Sequence, residues 1–317
     1  MIATVKVGFI LLFFVHCLQA QKRQCDCKPV SDCDTFQGIL DQKDFNQLKK
    51  HQFCGFDGKV PKYCCPTTAE NYLTELNRVC GVYYSSAIVG GIHARPHEYP
   101  WMVALVDPNN EDQVICEGVL VSEDIIVTAA YCIVDGLEKV KLGNANLTQA
   151  QGFEIKSTLV HPDYNERTFA NNLAVIELKD KLIFDSKIRP ICLPEIDDLE
   201  NEDLLAIGWP RPRSTISHED NSTLIKVWAK SVDRETCQAA YQSTKIQLTS
   251  EQICAEGRHK RNGCPGDTGG PLTSLSRNQR HVLNGISSFG SNSGCRFPEV
   301  YTNVLHHKDW ILDSILN

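Results

Sequence analysis

The chain contains 15 cysteines among 317 residues, and their number and grouping constrain its fold more than any other feature. Cytosolic thiols stay reduced, so this many cysteines indicates a secretory, oxidising compartment. Cys17 lies in an amino-terminal segment with one cation, Lys6, an apolar run over 7–15 and a small residue at Ala20. We predict a cleaved signal peptide over 1–20, because the apolar run is too short to span a bilayer. The other 14 cysteines form an even set, which predicts a disulfide framework.

Six of these cysteines are crowded into a short segment: Cys25, Cys27, Cys33, Cys54, Cys64 and Cys65. A segment this short builds no self-sufficient core, so it predicts a small disulfide-held module whose pairing the spacing leaves open. Zinc is the alternative use of clustered cysteines. The adjacent pair Cys64-Cys65 argues against zinc, because it lacks the gap between chelating thiolates. Residues 66–87 then read as a linker containing Cys80, and seven cysteines follow from Cys116 onward.

Charge and hydropathy exclude other classes of protein. The formal net charge is −7, whereas a nucleic-acid binder needs a basic face. The chain has no second run of about 18 apolar residues, so we predict no membrane-spanning helix. Two sequons, at Asn146 and Asn221, predict N-glycosylation, which fits the secretory compartment.

Beyond residue 88 short β-rich runs alternate with turn residues, which predicts an all-β fold of antiparallel barrels. We expect Glu117-Gly118 to break one run into two strands, over 114–116 and 119–121. A single helix is predicted at the end, from the spacing of Val304, Trp310, Ile311 and Ile315. The other expected strands lie near 125–128, 139–142, 173–178, 204–207, 225–228 and 282–287.

Five motifs stand in order beyond residue 88: Ile88-Val89-Gly90-Gly91, Thr128-Ala129-Ala130-Tyr131-Cys132, Asn172-Leu173-Ala174-Val175, Gly266-Asp267-Thr268-Gly269-Gly270 and Val300-Tyr301-Thr302-Asn303-Val304. Through these motifs, residues 88–317 resemble a chymotrypsin-like serine protease domain. The resemblance implies a double six-stranded antiparallel β-barrel with a carboxy-terminal helix, and it implies neither a cofactor nor a metal.

Residues 21–65 resemble the clip domain of arthropod haemolymph proteases, in which a clip domain precedes the protease domain. The resemblance implies three disulfides within the clip domain and one bridge, Cys80–Cys192, from the linker to the large domain. It further implies the pairs Cys116–Cys132, Cys237–Cys254 and Cys264–Cys295, so that all 14 cysteines are used.

The catalytic positions depart from this family. Its Ser-His-Asp triad uses serine as nucleophile, histidine as base and aspartate to orient the histidine. The matching positions carry Thr268, Tyr131 and Asn172. A phenol normally titrates near pKa 10 and an imidazole near 6.5, so a tyrosine is a poor base at neutral pH. Asparagine at the orienting position costs about 10⁴-fold in rate even when the histidine is present, and threonine needs an adjacent base to act as nucleophile.

Other parts of the family's apparatus are partly retained. Gly266 and the backbone N–H of Thr268 match the oxyanion hole, which alone supports a residual rate of about 10³–10⁴-fold over water. We expect Glu117, at a usual glycine position, to crowd the cleft. Four histidines remain as candidates for a relocated base, and we interpret them as solvated: His161, His281, His306 and His307.

The specificity pocket and the activation switch are also altered. The pocket positions carry Asn262 at the base, Phe289 and Gly290 on one wall and Glu299 on the other, where a side chain in place of glycine would fill the pocket. The activation pair, Ile88 and Asp267, is present, but Ala87 replaces the cation that a trypsin-like activator needs. Two interpretations stay open: cleavage by an elastase-like enzyme, or retention of the pair for packing alone.

We therefore expect a secreted, non-catalytic serine protease homologue of the haemolymph. The resemblance implies a binding or scaffolding role in immune cascades such as prophenoloxidase activation and melanisation. The implied partners are prophenoloxidase and clip-domain proteases, with no nucleic acid and no membrane. Two alternatives are a weak or narrow peptidase that uses Thr268, and an extracellular adhesion or matrix protein.

Overall fold

The computed structural model describes residues 26–33, 53–65, 68–83, 93–195, 203–210, 222–244, 246–257, 268–290 and 298–316. The chain divides into two compact units, Met1–Glu75 and Leu76–Asn317. No helix within the described residues is long and apolar enough to cross a membrane.

The first unit contains a three-stranded antiparallel sheet in the order β1-β3-β2. Its strands are β1 (Asp26–Pro29), β2 (Phe53–Asp57) and β3 (Val60–Cys65). Two disulfides, Cys27–Cys54 and Cys33–Cys65, fasten this sheet, as expected for a module with little core of its own. Cys25 and the side chain of Cys64 lie outside the described residues.

A helix, α1 (Thr68–Val79), lies within the predicted linker over 66–87. It leads to Cys80, which forms a disulfide with Cys192. The next residue, Gly81, has a φ of +67°, and a β-carbon on it would lie 2.4 Å from the carbonyl oxygen of His281. Only glycine fits this close approach, so the chain after the bridge is held tightly against the large unit.

Twelve strands of the large unit form two closed six-stranded antiparallel barrels. The first, in the order β4-β5-β6-β9-β8-β7, comprises β4 (Met102–Asp107), β5 (Asn110–Leu120), β6 (Ile125–Thr128), β7 (Lys139–Leu142), β8 (Gln151–Val160) and β9 (Ala174–Leu178). The second, in the order β10-β11-β12-β15-β14-β13, comprises β10 (Asp203–Gly208), β11 (Ile225–Val232), β12 (Gln252–Gly257), β13 (Pro271–Leu275), β14 (His281–Phe289) and β15 (Glu299–Asn303). Helix α2 (Arg234–Ala240) follows β11, and α3 (Lys308–Leu316) ends the chain. The predicted double barrel with a carboxy-terminal helix is confirmed.

The predicted break at Glu117-Gly118 is wrong, because β5 runs through it. Both residues stay paired with β4, Glu117 opposite Ala104 and Gly118 opposite Val103. A β-carbon on Gly118 would lie 2.8 Å from a methyl carbon of Ile126. The glycine thus permits close packing between strands rather than ending one.

The second barrel has small hydrophobic clusters of its own, and a larger cluster extends across both barrels. Its buried side chains come from the first barrel, the second barrel and α3, including Trp101, Leu120, Trp209, Ile286 and Ile311. Each such side chain contributes about 1.5–3 kcal/mol when it is fully buried.

Candidate active site

The three altered triad positions converge where the barrels meet. Tyr131 lies on a short 3-10 turn (Ala130–Cys132), which the Cys116–Cys132 disulfide ties to β5. Its backbone N–H donates to Oδ1 of Asn172 at 3.0 Å. The carbonyl oxygen of Thr268 accepts from the backbone N–H of Glu117 at 3.0 Å and lies 3.4 Å from Sγ of Cys132. The fold therefore preserves the placement of a triad whose side chains have changed.

Asn172 is fully buried, and its side chain is used structurally. Its Oδ1 accepts from Tyr131 N, and its Nδ2 donates to Oγ of Ser288 at 2.8 Å. Its carbonyl oxygen accepts from the hydroxyl of Thr302 at 2.9 Å. The amide thus holds the turn that carries Tyr131 and orients no base.

The side chain of Tyr131 faces the solvent. It is 63% exposed, and its ring contacts Phe169 edge-on at 6.5 Å between centroids. Within the described ranges, neither the Tyr131 hydroxyl nor the Thr268 hydroxyl takes part in a hydrogen bond. A nucleophile and its base normally lie within hydrogen-bond reach of each other, and the two hydroxyls show no such bond here.

Aromatic rings follow one another along the cleft from Tyr131. The ring centroids of Phe169 and Phe289 lie 5.1 Å apart, and those of Phe289 and Tyr241 lie 5.5 Å apart. The Tyr241 hydroxyl donates to the carbonyl oxygen of Pro298 at 2.6 Å. Burial, with the nearby Glu299 carboxylate, raises the pKa of Tyr241 to about 12.

We call Tyr131, Phe169 and Phe289 the aromatic row. The sequence did not indicate Phe169, because it lies in a loop without a motif.

Glu299, the residue expected on one pocket wall, lies beside Gly290, which is expected on the other. A β-carbon on Gly290 would lie 3.3 Å from Cγ of Glu299. The Tyr301 hydroxyl donates to Oε2 of Glu299 at 3.0 Å. Burial and then the charge of Glu299 raise the pKa of Tyr301 well above its usual range. Asn262, at the expected pocket base, lies outside the described residues.

The expectation that Glu117 crowds the cleft is wrong. Its side chain is fully buried, and the backbone N–H of Trp209 donates to its Oε1. The carboxylate therefore lies in the interior, bonded to the backbone that follows β10. The backbones of Gly269 and Glu117 also approach each other closely, so that a β-carbon on Gly269 would clash with the carbonyl oxygen of Glu117.

None of the four other histidines hydrogen-bonds to the Thr268 hydroxyl in the part of the chain that the structure describes. His281 is not solvated as expected but buried, with its Nδ1 3.1 Å from the hydroxyl of Thr273 and its ring among three aromatic side chains: Tyr83, Tyr99 and Trp101. Burial lowers the pKa of His281 to about 3. His307 is also buried. It clusters with His161 and His306, with ring centroids 5.3 and 5.0 Å away.

The structure places the remaining predicted residues as follows. Disulfides join Cys80 to Cys192, Cys116 to Cys132 and Cys237 to Cys254. Asn146 precedes a short turn (Leu147–Gln149), and its Oδ1 accepts from the Thr148 N–H at 2.9 Å. No group of histidine, cysteine and acidic residues in the described ranges could hold a metal ion. Six further predicted residues lie outside the described ranges: Ile88, Asn221, Cys264, Gly266, Asp267 and Cys295.

Comparisons with known proteins agree with this geometry. The family model described as Trypsin matches residues 88–311. Phenoloxidase-activating factor 1 of Holotrichia diomphalia is 30% identical, over 97% of this chain and 98% of its own length. Proclotting enzyme of Tachypleus tridentatus is 30% identical, over 92% of this chain and 87% of its own length.

A solved structure is similar over most of the chain. The Grass clip serine protease of the Drosophila Toll pathway superposes with a TM-score of 0.67 and 25% sequence identity. The match covers 92% of this chain and 94% of that one. The similarity therefore extends beyond the protease domain into the amino-terminal part.

Proposed function

The chain belongs to the trypsin family, within its arthropod clip-domain group, and from this membership we propose that it is a secreted homologue that binds proteins without cleaving them. We assign residues 1–20 to the signal peptide, 21–65 to the clip domain, 66–87 to the linker and 88–317 to the pseudoprotease domain. On this proposal, the chain retains the cleft between the two barrels but lacks the general base of the family's triad.

One observation carries the proposal. The phenol of Tyr131 is exposed without a hydrogen bond to the Thr268 hydroxyl, while the Asn172 amide is used by Tyr131 N and Ser288 Oγ. A serine-type mechanism needs a base that takes the nucleophile's proton and returns it to the leaving group. Neither residue provides that base.

The aromatic row supports binding as the retained activity. Tyr131 is 63% exposed, and Phe169 and Phe289 are half-buried beside it. Exposed, rigidly held rings provide large contact areas at little cost in conformational entropy, so aromatic residues are common in protein interfaces. The altered base position thereby extends an apolar surface along the cleft.

The relatives suggest the setting of this binding. One is by name a phenoloxidase-activating factor, one a proclotting enzyme and one a protease of the Toll pathway. We propose that this chain acts as a binding or scaffolding cofactor in such extracellular immune cascades, of the prophenoloxidase-activation and melanisation type. Its partners would be prophenoloxidase or clip-domain proteases of the haemolymph.

A pull-down from haemolymph tests the binding role. The bait is the full chain, compared with a chain that lacks residues 21–65 and with the variant Tyr131→Ala. We expect the full chain to recover prophenoloxidase or its activating protease, and Tyr131→Ala to recover less. Ile183→Ala is the matched control, because Ile183 is an exposed apolar residue outside the aromatic row. Recovery of matrix components alone would contradict the proposal.

A further inference from the structure

The loop over 161–173, here called the cleft loop, joins β8 to β9 and carries both Phe169 and Asn172. Its turn is closed by two backbone bonds, from Phe169 N to Asn165 O at 2.8 Å and from Asn165 N to Ala170 O at 3.0 Å. The loop therefore sets the position of the middle ring of the aromatic row.

The cleft loop contains strained backbone. Phe169 has a φ of +55° and Asn171 a φ of +51°. Asparagine tolerates this left-handed region, but a bulky aromatic residue rarely adopts it. Such a conformation costs about 1–3 kcal/mol and persists only where surrounding contacts enforce it.

His307 provides one of those contacts. Its Nδ1 lies 2.8 Å from the carbonyl oxygen of Asn303, and its Nε2 lies 2.9 Å from Oδ1 of Asn171. Nδ2 of Asn171 donates to the carbonyl oxygen of Asp163 at 3.1 Å, which fixes the orientation of the amide. Both ring nitrogens of His307 therefore face oxygen atoms that can only accept.

A neutral imidazole has one N–H, whereas an imidazolium has two. Neutral His307 can donate to Asn303 or to Asn171, but not to both. If the amide of Asn171 flips to donate to Nε2, its oxygen atom faces the carbonyl oxygen of Asp163 and that bond is lost. We infer that His307 is a proton-operated latch, which fastens the cleft loop through Asn171 when it is protonated and releases it when it is neutral.

The charged surroundings of His307 determine when the latch closes. His161 faces it from the cleft loop, Glu251 from the loop before β12, and His306 from its own segment, while Asp163 acts on His161. Burial is the main cause that lowers the pKa of His307 below its usual range, and the charges of His306 and His161 add to it. The bond to Asn303 and the charge of Glu251 act in the opposite direction. The latch therefore closes as the pH falls below the usual range of histidine.

The consequence for binding rests on the proposed function. A fastened loop holds Phe169 between Tyr131 and Phe289, so the aromatic row is ordered before a partner arrives. Pre-ordering removes an entropic cost of association. We expect capture of a partner at the cleft to strengthen on acidification.

A nuclear magnetic resonance titration of the free full-length protein tests the latch without a partner. The ring signals of His307, the side-chain amide of Asn171 and the backbone amides over 163–171 should titrate with one common midpoint. His307→Phe should abolish the transition at Asn171, while the control His306→Gln, whose ring does not contact Asn171, should retain it. Asn171 signals that stay constant while His307 titrates, or that still titrate in His307→Phe, would overturn the inference.

A second variant keeps the test decisive if His307→Phe does not fold. Asn171→Asp places a carboxylate beside Nε2, and an opposite charge at this distance raises a pKa by about one to three pH units. The common midpoint should rise accordingly, and an unchanged midpoint would refute direct contact. Loss of partner capture at every pH, with the titration intact, would count against the proposed function and leave the latch standing.

Discussion

The amide of Asn172 donates to the hydroxyl of Ser288 at 2.8 Å, across the boundary between the two barrels. In a chymotrypsin-like protease an aspartate at this position orients the histidine base. Here the same position joins the turn that carries Tyr131 to the second barrel. A catalytic position has thus become a structural one.

This structural role predicts opposite results for two substitutions. Asn172→Ala leaves the Tyr131 N–H and the Ser288 hydroxyl without a buried partner, so the free energy of unfolding should fall by about 1–3 kcal/mol. Asn172→Asp can accept from both groups and should retain more stability, yet it should hydrolyse no peptide. Urea unfolding and a fluorogenic peptide library measure the two properties. Equal stability of the two variants would contradict the structural role.

Restoring the triad should expose a second obstacle. We expect the triple variant Tyr131→His, Asn172→Asp, Thr268→Ser to turn over peptides poorly, because Glu299 still lies against Gly290 in the pocket. Adding Glu299→Gly should raise kcat/KM above that of the triple variant. The matched control adds Glu256→Gly, which removes a carboxylate from an ion pair with Lys230 on the barrel wall. An equal effect of the two glycines would argue against obstruction by Glu299.

His281 should make the protein sensitive to acid. Burial lowers its pKa to about 3 in the folded state, whereas an unfolded histidine titrates near 6.5. Between these values only the unfolded state takes up the proton, so the free energy of unfolding falls by up to about 1.4 kcal/mol per pH unit on acidification. Above about pH 6.5 the effect vanishes. Urea unfolding at several pH values should show a shallower dependence in His281→Gln than in the parent, and identical dependences would refute this origin.

The Cys80–Cys192 disulfide should keep a cleaved chain together. The bridge has a sequence separation of 112, and it joins the chain before position 87 to the chain after it. A variant with Ala87→Arg, cut at 87–88 by a trypsin-like protease, should run as one band without reductant and as two with it. Removing the bridge by Cys80→Ser with Cys192→Ser should lower the free energy of unfolding of the uncut chain by roughly 4–5 kcal/mol. Two bands without reductant would contradict the pairing.

The sequence predicted the fold well because its signals are local. Short β-rich runs and turn residues depend on near neighbours and predicted antiparallel barrels, whereas the double six-stranded form was implied by the resemblance to chymotrypsin-like proteases. The prediction that Glu117 crowds the cleft was wrong because its partner, the backbone N–H of Trp209, is distant in sequence. No local pattern indicates that the carboxylate is buried against it. Phe169 was missed because its position depends on a left-handed loop backbone. The contact of His307 with Asn171 joins residues 136 positions apart, and no pattern along the chain indicates it.

The most direct test of the account is covalent labelling of the cleft. The chain, cleaved at 87–88 through Ala87→Arg, is incubated with a panel of organophosphonates, beside an active trypsin-like protease as control, and intact mass and peptide mapping follow. We predict that the control gains an adduct on its nucleophile while Thr268 remains unmodified, because its hydroxyl has no hydrogen-bonded base among the described residues. An adduct on Thr268, or hydrolysis of a natural protein by the cleaved parent chain, would contradict the account.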